Sequence, residues 1–334
     1  MISNEETAVK YFDVFNGDAD GICALHQLRL AEPRRSQLVS GVKRDIRLLD
    51  ALAADPGISG AVITVLDISL DSNREALAAL LRRGNAVTYL DHHFAGEIPD
   101  SALLHATIDP GPDVCTGLLV DRLLGGRYRP WAIVAAFGDN LHAVAGRAAQ
   151  TMNFSPVEVK ILQELGELMN YNGYGRDPAD LHFRPEELFA AVQPYENPLH
   201  FYRESPVLDK LRQGYADDME LARASSPLAE NAHGRIFSFP DAPWCRRVAG
   251  VFSNEKAREL EGKAHALLVD NGDGTLLVSV RAPLADKQGA AALCRKFPTG
   301  GGREAAAGIN ALPSALLQDF VAAFFLNWQG EAAF

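Results

Sequence analysis

Short, mostly apolar runs at 9–15, 37–41, 61–66 and 86–90 alternate with helical segments over roughly the first 145 residues. The runs are continuous rather than alternating, which is the pattern of strands covered on both faces. Strand–helix–strand repetition of that kind predicts a parallel sheet. Helices are expected over 22–30, 72–83, 113–124 and 130–137, with Gly84-Asn85 turning the chain into the run at 86–90. The fold class is therefore α/β, with a parallel-sheet, Rossmann-like N-terminal domain.

From about 150 to 230 the pattern is mostly helical. Ser155-Pro156-Val157-Glu158 supplies a cap, a proline at the first helical position and an acidic first turn. The stretches 170–180 and 193–206 are rich in Asn, Gly, Pro and Tyr and read as loops. A second strand-rich region starts near Gly234, with strands expected at 236–239, 247–251, 266–270 and 276–281. Asn271-Gly272-Asp273-Gly274 is a hairpin turn between the last two. Helices are expected over 287–297 and 313–328, the latter an apolar helix (Leu316, Phe320, Phe324, Phe325) read as core rather than as a dimer face. The chain is expected to divide into 1–150, a helical remainder and connector over 151–232, and a smaller C-terminal α/β domain over 233–334.

Composition narrows the partners. At 334 residues the chain has room for two cores, and 47% apolar with 22% charged residues is ordinary for a globular protein. Lys plus Arg is 32 against 43 Asp plus Glu, a net charge of −11. A protein that grips long duplex DNA carries a basic face, so this balance argues for a small or short anionic substrate. The four cysteines (Cys23, Cys115, Cys245, Cys294) form no CxxC pair and read as buried or half-buried thiols. The N-terminus, with Glu5, Glu6 and Lys10, lacks a signal-peptide core, and no stretch of about 18 apolar residues is present. A cytoplasmic protein that makes no use of a membrane, monomeric or homodimeric, is expected.

The chemistry sits where the apolar runs end. The first leads into Asn16-Gly17-Asp18-Ala19-Asp20-Gly21, the third into Asp67 and the fourth into Asp91-His92-His93. In a parallel sheet the carboxyl ends of the strands open onto one crevice. Carboxylates gathered there repel one another unless cations lie between them. Asp18 and Asp20 stand two apart on a turn that Gly17 and Gly21 allow to be tight. No glutamate closes a calcium loop at the expected position. A histidine nitrogen among carboxylates suits Mn²⁺ better than Ca²⁺, and an adjacent carboxylate can orient an imidazole. Asp139, after the apolar helix at 130–137, would join them. The pattern predicts a hydrolytic metal centre.

Asp18/Asp20, Asp67, Asp91-His92-His93 and Asp139, in this order, resemble the four motifs of the DHH phosphoesterases. That family includes RecJ-type exonucleases, nanoRNases that also act on 3′-phosphoadenosine 5′-phosphate, cyclic-dinucleotide phosphodiesterases and relatives of exopolyphosphatases. Ser279-Val280-Arg281, Gly300-Gly301-Gly302-Arg303 and Ala305-Ala306-Ala307-Gly308 resemble the substrate-binding domain associated with it. The resemblance implies a DHH catalytic, metal-binding domain over 1–150 and a substrate-binding domain over 233–334. It implies that the two domains face each other across a cleft, and two Mn²⁺ or Mg²⁺ ions with an activated water between them. Asp67 would bridge both ions, Asp18 would hold the first, and Asp20, His92 and Asp139 the second. His93 would face the scissile phosphate, Asp91 would support a histidine, and Arg281, Gly300, Gly301, Gly302 and Arg303 would bind substrate, Arg303 acting also in catalysis.

Two positions depart from the pattern. Asn16 stands where many members carry histidine, or aspartate in RecJ-like ones, and its amide oxygen would be a weaker, neutral ligand of the first ion. Arg303 stands where the glycine motif usually carries histidine; arginine keeps the cation and adds a fork that pairs bidentately with phosphate. The function expected is Mn²⁺-dependent hydrolysis of phosphodiester bonds in short oligonucleotides or small nucleotides. The alternatives are a phosphomonoesterase or exopolyphosphatase acting on 3′-phosphoadenosine 5′-phosphate or polyphosphate, and an attenuated nucleotide-binding sensor lacking the first ion. His26 reads as a packing or solvent histidine, His142 as a helix-surface residue, Trp131, Trp244 and Trp328 as core, and Tyr171, Tyr174 and Phe183 as loop packing.

Overall fold

The apolar runs become adjacent parallel strands. β1 (Tyr11–Asn16) is followed by α1 (Ala19–Ala31), β2 (Gln37–Gly41), α2 (Leu49–Ala54), β3 (Val62–Leu66), α3 (Arg74–Arg82), β4 (Ala86–Asp91) and β5 (Leu104–Ile108). They assemble in the order β2-β1-β3-β4-β5, every pair parallel. A computed structural model describes residues 9–328; Glu5 and Glu6 lie outside the described residues. One face of the sheet is filled by Val14, Ile63, Val65, Tyr89, Leu77 and Leu80.

The other face is covered by helices. α4 (Thr116–Leu123), α5 (Arg129–Gly138), α6 (His142–Thr151), α7 (Pro156–Asn172), α8 (Pro185–Val192) and α9 (Pro198–Glu204) follow the sheet. α1 packs on α4 and α5, and α5 on α7. Close approach explains small residues here: a Cβ on Gly166 of α7 would lie 2.4 Å from the Val134 carbonyl oxygen of α5. α7 starts as its sequence predicts, with Ser155 and Glu158 capping each other reciprocally. The described chain divides into two compact units after Arg212, within α10 (Val207–Arg223). Residues 151–212, part of the expected connector, thus lie in the first unit because α7 is packed into it. Within the expected loop at 193–206 stands α9, started by the Asn197 cap and Pro198.

A buried ion pair fastens β1 to α1. Arg29 donates from Nε and Nη2 to the two Asp13 carboxylate oxygens, both at 2.9 Å, and the Ser36 hydroxyl adds a bond of 2.5 Å. Arg29 Nη2 also reaches Thr64 Oγ1 on β3 at 3.3 Å.

The second unit holds β6 (Ala229–Glu230), β7 (Gly234–Phe239), α11 (Pro243–Glu259), β8 (Ala264–Asp270), β9 (Thr275–Arg281), α12 (Ala290–Cys294), β10 (Gly300–Gly302), β11 (Ala306–Pro313) and α13 (Leu317–Trp328). Its sheet order is β10-β11-β9-β8-β7-β6, with only β7 and β8 parallel. The strand expected at 247–251 is instead the middle of α11, which Pro243 opens at its first turn. The helix expected at 287–297 is confined to α12, and the one expected from 313 begins, after a 3₁₀ turn, at Leu317. Phe320 and Phe324 are buried in this unit's core with Leu268, Val278, Val280 and Ile309. All four cysteines are buried and unpaired. No helix among the described residues is long and apolar enough to cross a membrane.

Candidate metal centre

The carboxyl ends of β1, β3 and β4 deliver most of the acidic residues to one place. Past β1 the chain turns so tightly that a Cβ on Gly21 would lie 2.2 Å from the Asn16 carbonyl oxygen. Asp18 caps α1, its Oδ1 accepting from the N–H groups of Asp20 (3.0 Å) and Gly21 (3.1 Å). Asp20, in the first turn of the helix, is buried, and its oxygens accept from the N–H of Thr116 and of Gly117, both at 2.7 Å. The start of α4 therefore orients this carboxylate.

Asp67 follows β3 with φ of 60°, a left-handed backbone that a non-glycine residue adopts at a cost. Its Oδ1 accepts from the Thr116 hydroxyl at 3.1 Å. Asp91 ends β4, fully buried; its Oδ1 lies 2.7 Å from His93 Nδ1 and its Oδ2 has no hydrogen-bond partner among the described residues. Asp139 caps the C-terminus of α5.

His92 stands at the middle of the cluster. Its Nε2 is 3.4 Å from Asp67 Oδ1, 3.8 Å from Asp139 Oδ2 and 3.9 Å from Asp20 Oδ2. Donor atoms bonded at roughly 2.0–2.2 Å to one cation stand about 3–4 Å apart, so these spacings suit a shared ion. Asp20, His92 and Asp139 present donor atoms all within 4.8 Å of one another, and so do Asp67, His92 and His93. Carboxylates with imidazole match Mn²⁺ or Mg²⁺, and the buried, unpartnered oxygen of Asp91 is consistent with positive charge nearby.

The electrostatics show the strain of the cluster without an ion. Burial, then the charges of Asp20, Asp18, Asp139 and Asp91, push the Asp67 carboxyl well above its ordinary value. Burial and Asp20 raise Asp139 from 3.8 to about 6. The hydrogen bond to Asp91 raises His93, whose side chain is 42% exposed and so open to a ligand. For Asp139 the folded state favours the proton. Its contribution to the stability of the metal-free protein is fully present below about pH 3.8 and is lost as the pH rises through about 6. An ion competes with that proton, so Mn²⁺ affinity should fall as the pH drops through about 6. Calorimetric titrations at several values between pH 5 and 7 read this directly; a constant affinity would refute it.

Lys43 is the residue that the sequence does not announce. Its ammonium donates to Asp18 Oδ2 at 2.5 Å and to Asn170 Oδ1 at 2.9 Å, and lies 3.5 Å from Asp139 Oδ1. Burial alone would lower its pKa, but Asp18, Tyr174 and Asp139 raise it well above the ordinary value, so it is a fixed cation. For Asp18 burial acts upward, but Lys43 and the Gly21 N–H outweigh it and the net shift is downward. Asn16 spends its amide locally, Oδ1 accepting from the Asp18 N–H at 3.2 Å and Nδ2 donating to the Lys43 carbonyl at 3.1 Å.

Seven of the predicted residues thus come together in the first unit: Asp18, Asp20, Asp67, Asp91, His92, His93 and Asp139. Arg281, Gly300, Gly301, Gly302 and Arg303 lie in the second, on one side of its sheet order. Arg281 is in register with Ala306 and donates from Nε to Asn254 Oδ1 at 2.8 Å. The glycines form β10, paired with β11, where a Cβ on Gly300 would lie 1.8 Å from the Cys294 carbonyl oxygen. Close packing therefore demands glycine at that position. Arg303 is exposed. His26 is buried against the edge of Trp131, its Nε2 2.8 Å from the Tyr195 carbonyl oxygen. His142, 3.1 Å from Asn140 Oδ1, starts α6.

No family model matches the sequence, and no curated protein matches it. Solved structures do match the fold. A DHH domain described as a member of the s1p family of ribosomal proteins superposes with a TM-score of 0.65 at 13% identity, covering 95% of this chain and 86% of its own. The exonuclease RecJ bound to manganese gives 0.58 at 17% identity, over 96% and 90%. A pGpG-specific phosphodiesterase, PggH from Vibrio cholerae, gives 0.52 at 14% identity, over 95% and 99%. The ordered strand-end carboxylates, the histidine among them and these superpositions over almost the whole length agree: the chain has the DHH fold.

Proposed function

We propose that this chain is a divalent-metal-dependent phosphoesterase that hydrolyses phosphodiester bonds of short oligonucleotides or small nucleotides. The observation that carries the reading is His92 Nε2 at 3.4–3.9 Å from three carboxylates. Asp20, Asp67, His92 and Asp139 would hold Mn²⁺ or Mg²⁺. When bound, the ion acidifies a water and neutralises charge on phosphoryl oxygens. His93, held through Nδ1 by Asp91, would present Nε2 to the substrate and would give its proton to the leaving oxygen as the water–phosphorus bond forms and the bond to the leaving oxygen breaks. Arg281 and Arg303 would bind substrate phosphates, Arg303 as a bidentate fork. Phe94, next to His93 and 73% exposed, offers a face on which a base can stack. The net charge of −11 fits a short substrate rather than long duplex DNA. RecJ bound to manganese and the pGpG-specific phosphodiesterase are neighbours in fold whose described activity and ligand agree with this reading.

The test is turnover by the full chain with Mn²⁺ on pGpG, on 5′-labelled RNA and DNA of two to five nucleotides, on 3′-phosphoadenosine 5′-phosphate and on polyphosphate. The expected result is cleavage of the short oligomers that Asp67→Ala abolishes. Turnover confined to 3′-phosphoadenosine 5′-phosphate or polyphosphate would move the assignment to a phosphomonoesterase or exopolyphosphatase. Bound Mn²⁺ with no turnover on any of them would sink the enzymatic reading in favour of a sensor.

A further inference from the structure

The two-ion arrangement that the family pattern implies needs a free Asp18 and a ligand at position 16. Here both Asp18 oxygens are engaged, and position 16 offers only a neutral amide oxygen that already accepts the Asp18 N–H. Asp18 gives Oδ1 to the start of α1 and Oδ2 to the Lys43 ammonium, while the amide of Asn16 is engaged with the loop. We propose that the Lys43 ammonium takes the place of the first ion, so that the centre binds a single divalent cation at Asp20, Asp67, His92 and Asp139. The inference rests on the metal-dependent reading above.

The surroundings of Lys43 are those of a built-in cation. An ammonium has three protons and no acceptor. Three oxygens stand around this one: Asp18 Oδ2 at 2.5 Å, Asn170 Oδ1 at 2.9 Å and Asp139 Oδ1 at 3.5 Å. The backbone holds it in place from both sides, the Lys43 N–H donating to the Gly173 carbonyl at 2.8 Å and its carbonyl accepting from Asn16. Asn16, the neutral residue at a family ligand position, therefore serves to seat the lysine. Asp139 divides its oxygens, Oδ1 toward Lys43 and Oδ2 toward His92 at 3.8 Å. Asp139 thus links the ammonium to His92, and its Oδ2 would be the oxygen left for an ion. A second divalent cation on Asp18 Oδ2 would meet the ammonium at contact distance, where like charges repel. The lysine neutralises one charge of the cluster but cannot acidify a water, so all activation of the nucleophile falls to the single ion.

Manganese stoichiometry and its spin resonance decide the matter without any substrate. Mn²⁺ alone is titrated into the full-length chain by equilibrium dialysis, and the bound ion is recorded by electron paramagnetic resonance. One Mn²⁺ per chain with the six-line spectrum of an isolated ion is expected. The double variant Asn16→Asp, Lys43→Ala should take two, with the loss of six-line signal that a coupled pair produces. Two coupled ions in the natural protein would overturn the proposal; so would a folded double variant still limited to one, because Lys43 would then not be what excludes the second. Lys43→Met with Asn16→Asp keeps the apolar stem should the alanine form fail to fold, folding being checked by circular dichroism. Absence of any bound Mn²⁺ would overturn the metal-dependent reading itself, a separate outcome from a count of two.

Discussion

His92→Ala should lower turnover by roughly 10³-fold or more, the equivalent of the several kcal/mol an ion supplies to the transition state. The same substitution should weaken Mn²⁺ binding while leaving the metal-free fold intact. The reason is the position of Nε2, which faces Asp20, Asp67 and Asp139 together. Each carboxylate has other partners: Asp20 the start of α4, Asp67 the Thr116 hydroxyl, Asp139 the Lys43 ammonium. Removing the imidazole therefore leaves the acids in place and takes away what joins them around an ion. His92→Ala with near-natural turnover, measured beside a binding isotherm, would be incompatible with the centre proposed here. A loss of turnover with unchanged Mn²⁺ affinity would reassign His92 to the substrate.

Arg29→Ala should destabilise the first unit by about 3–5 kcal/mol, the range for removing one member of a buried charge pair. Asp13 is 0% exposed and receives both branches of the guanidinium at 2.9 Å. Without Arg29 its carboxylate keeps only the Ser36 hydroxyl inside the protein. Most of the penalty is the cost of the orphaned charge, so Asp13→Asn combined with Arg29→Ala should recover a good part of it. Urea unfolding of the natural protein and of the single and double variants measures both quantities. A loss under about 1 kcal/mol for the single variant would mean that water reaches Asp13, contrary to its burial.

How legible the molecule was depended on where each signal came from. The strands that carry the site were readable because they are covered on both faces, so Val14, Ile63, Val65, Tyr89 and Leu90 leave unbroken apolar runs. β5 was not, since as an edge strand it is nowhere fully buried and contains His105 and Thr107. β11 was missed for another reason: its Ala-Ala-Gly start has little strand propensity, yet a Cβ on Gly308 would lie 2.7 Å from the Val278 carbonyl oxygen. The run Val248-Ala249-Gly250-Val251 suggested a strand because short apolar stretches do not separate strand from buried helix. Pro243, at the head of α11, was the better signal.

The same division holds at the site. Asp18, Asp20, Asp67, Asp91, His92, His93 and Asp139 advertise themselves by type and by standing at element ends. Lys43 does not: in Val42-Lys43-Arg44-Asp45 it looks like any surface lysine. Its partner Asn170 is 127 residues away in the chain, and only the return of α7 to the first loop makes it part of the centre.

Asp20 carries one more consequence. The N–H groups that aim it belong to residues 96 and 97 positions further along the chain. Contacts so distant in sequence carry a larger loop-closure cost than the local strand and helix pairs and are expected to close after them. A partly folded chain with β1 and β3 already paired would therefore own every ligand residue and still have no receptor for the ion. Capture of the proposed cation would then report completed folding, and by mass action it would draw the population toward the finished structure.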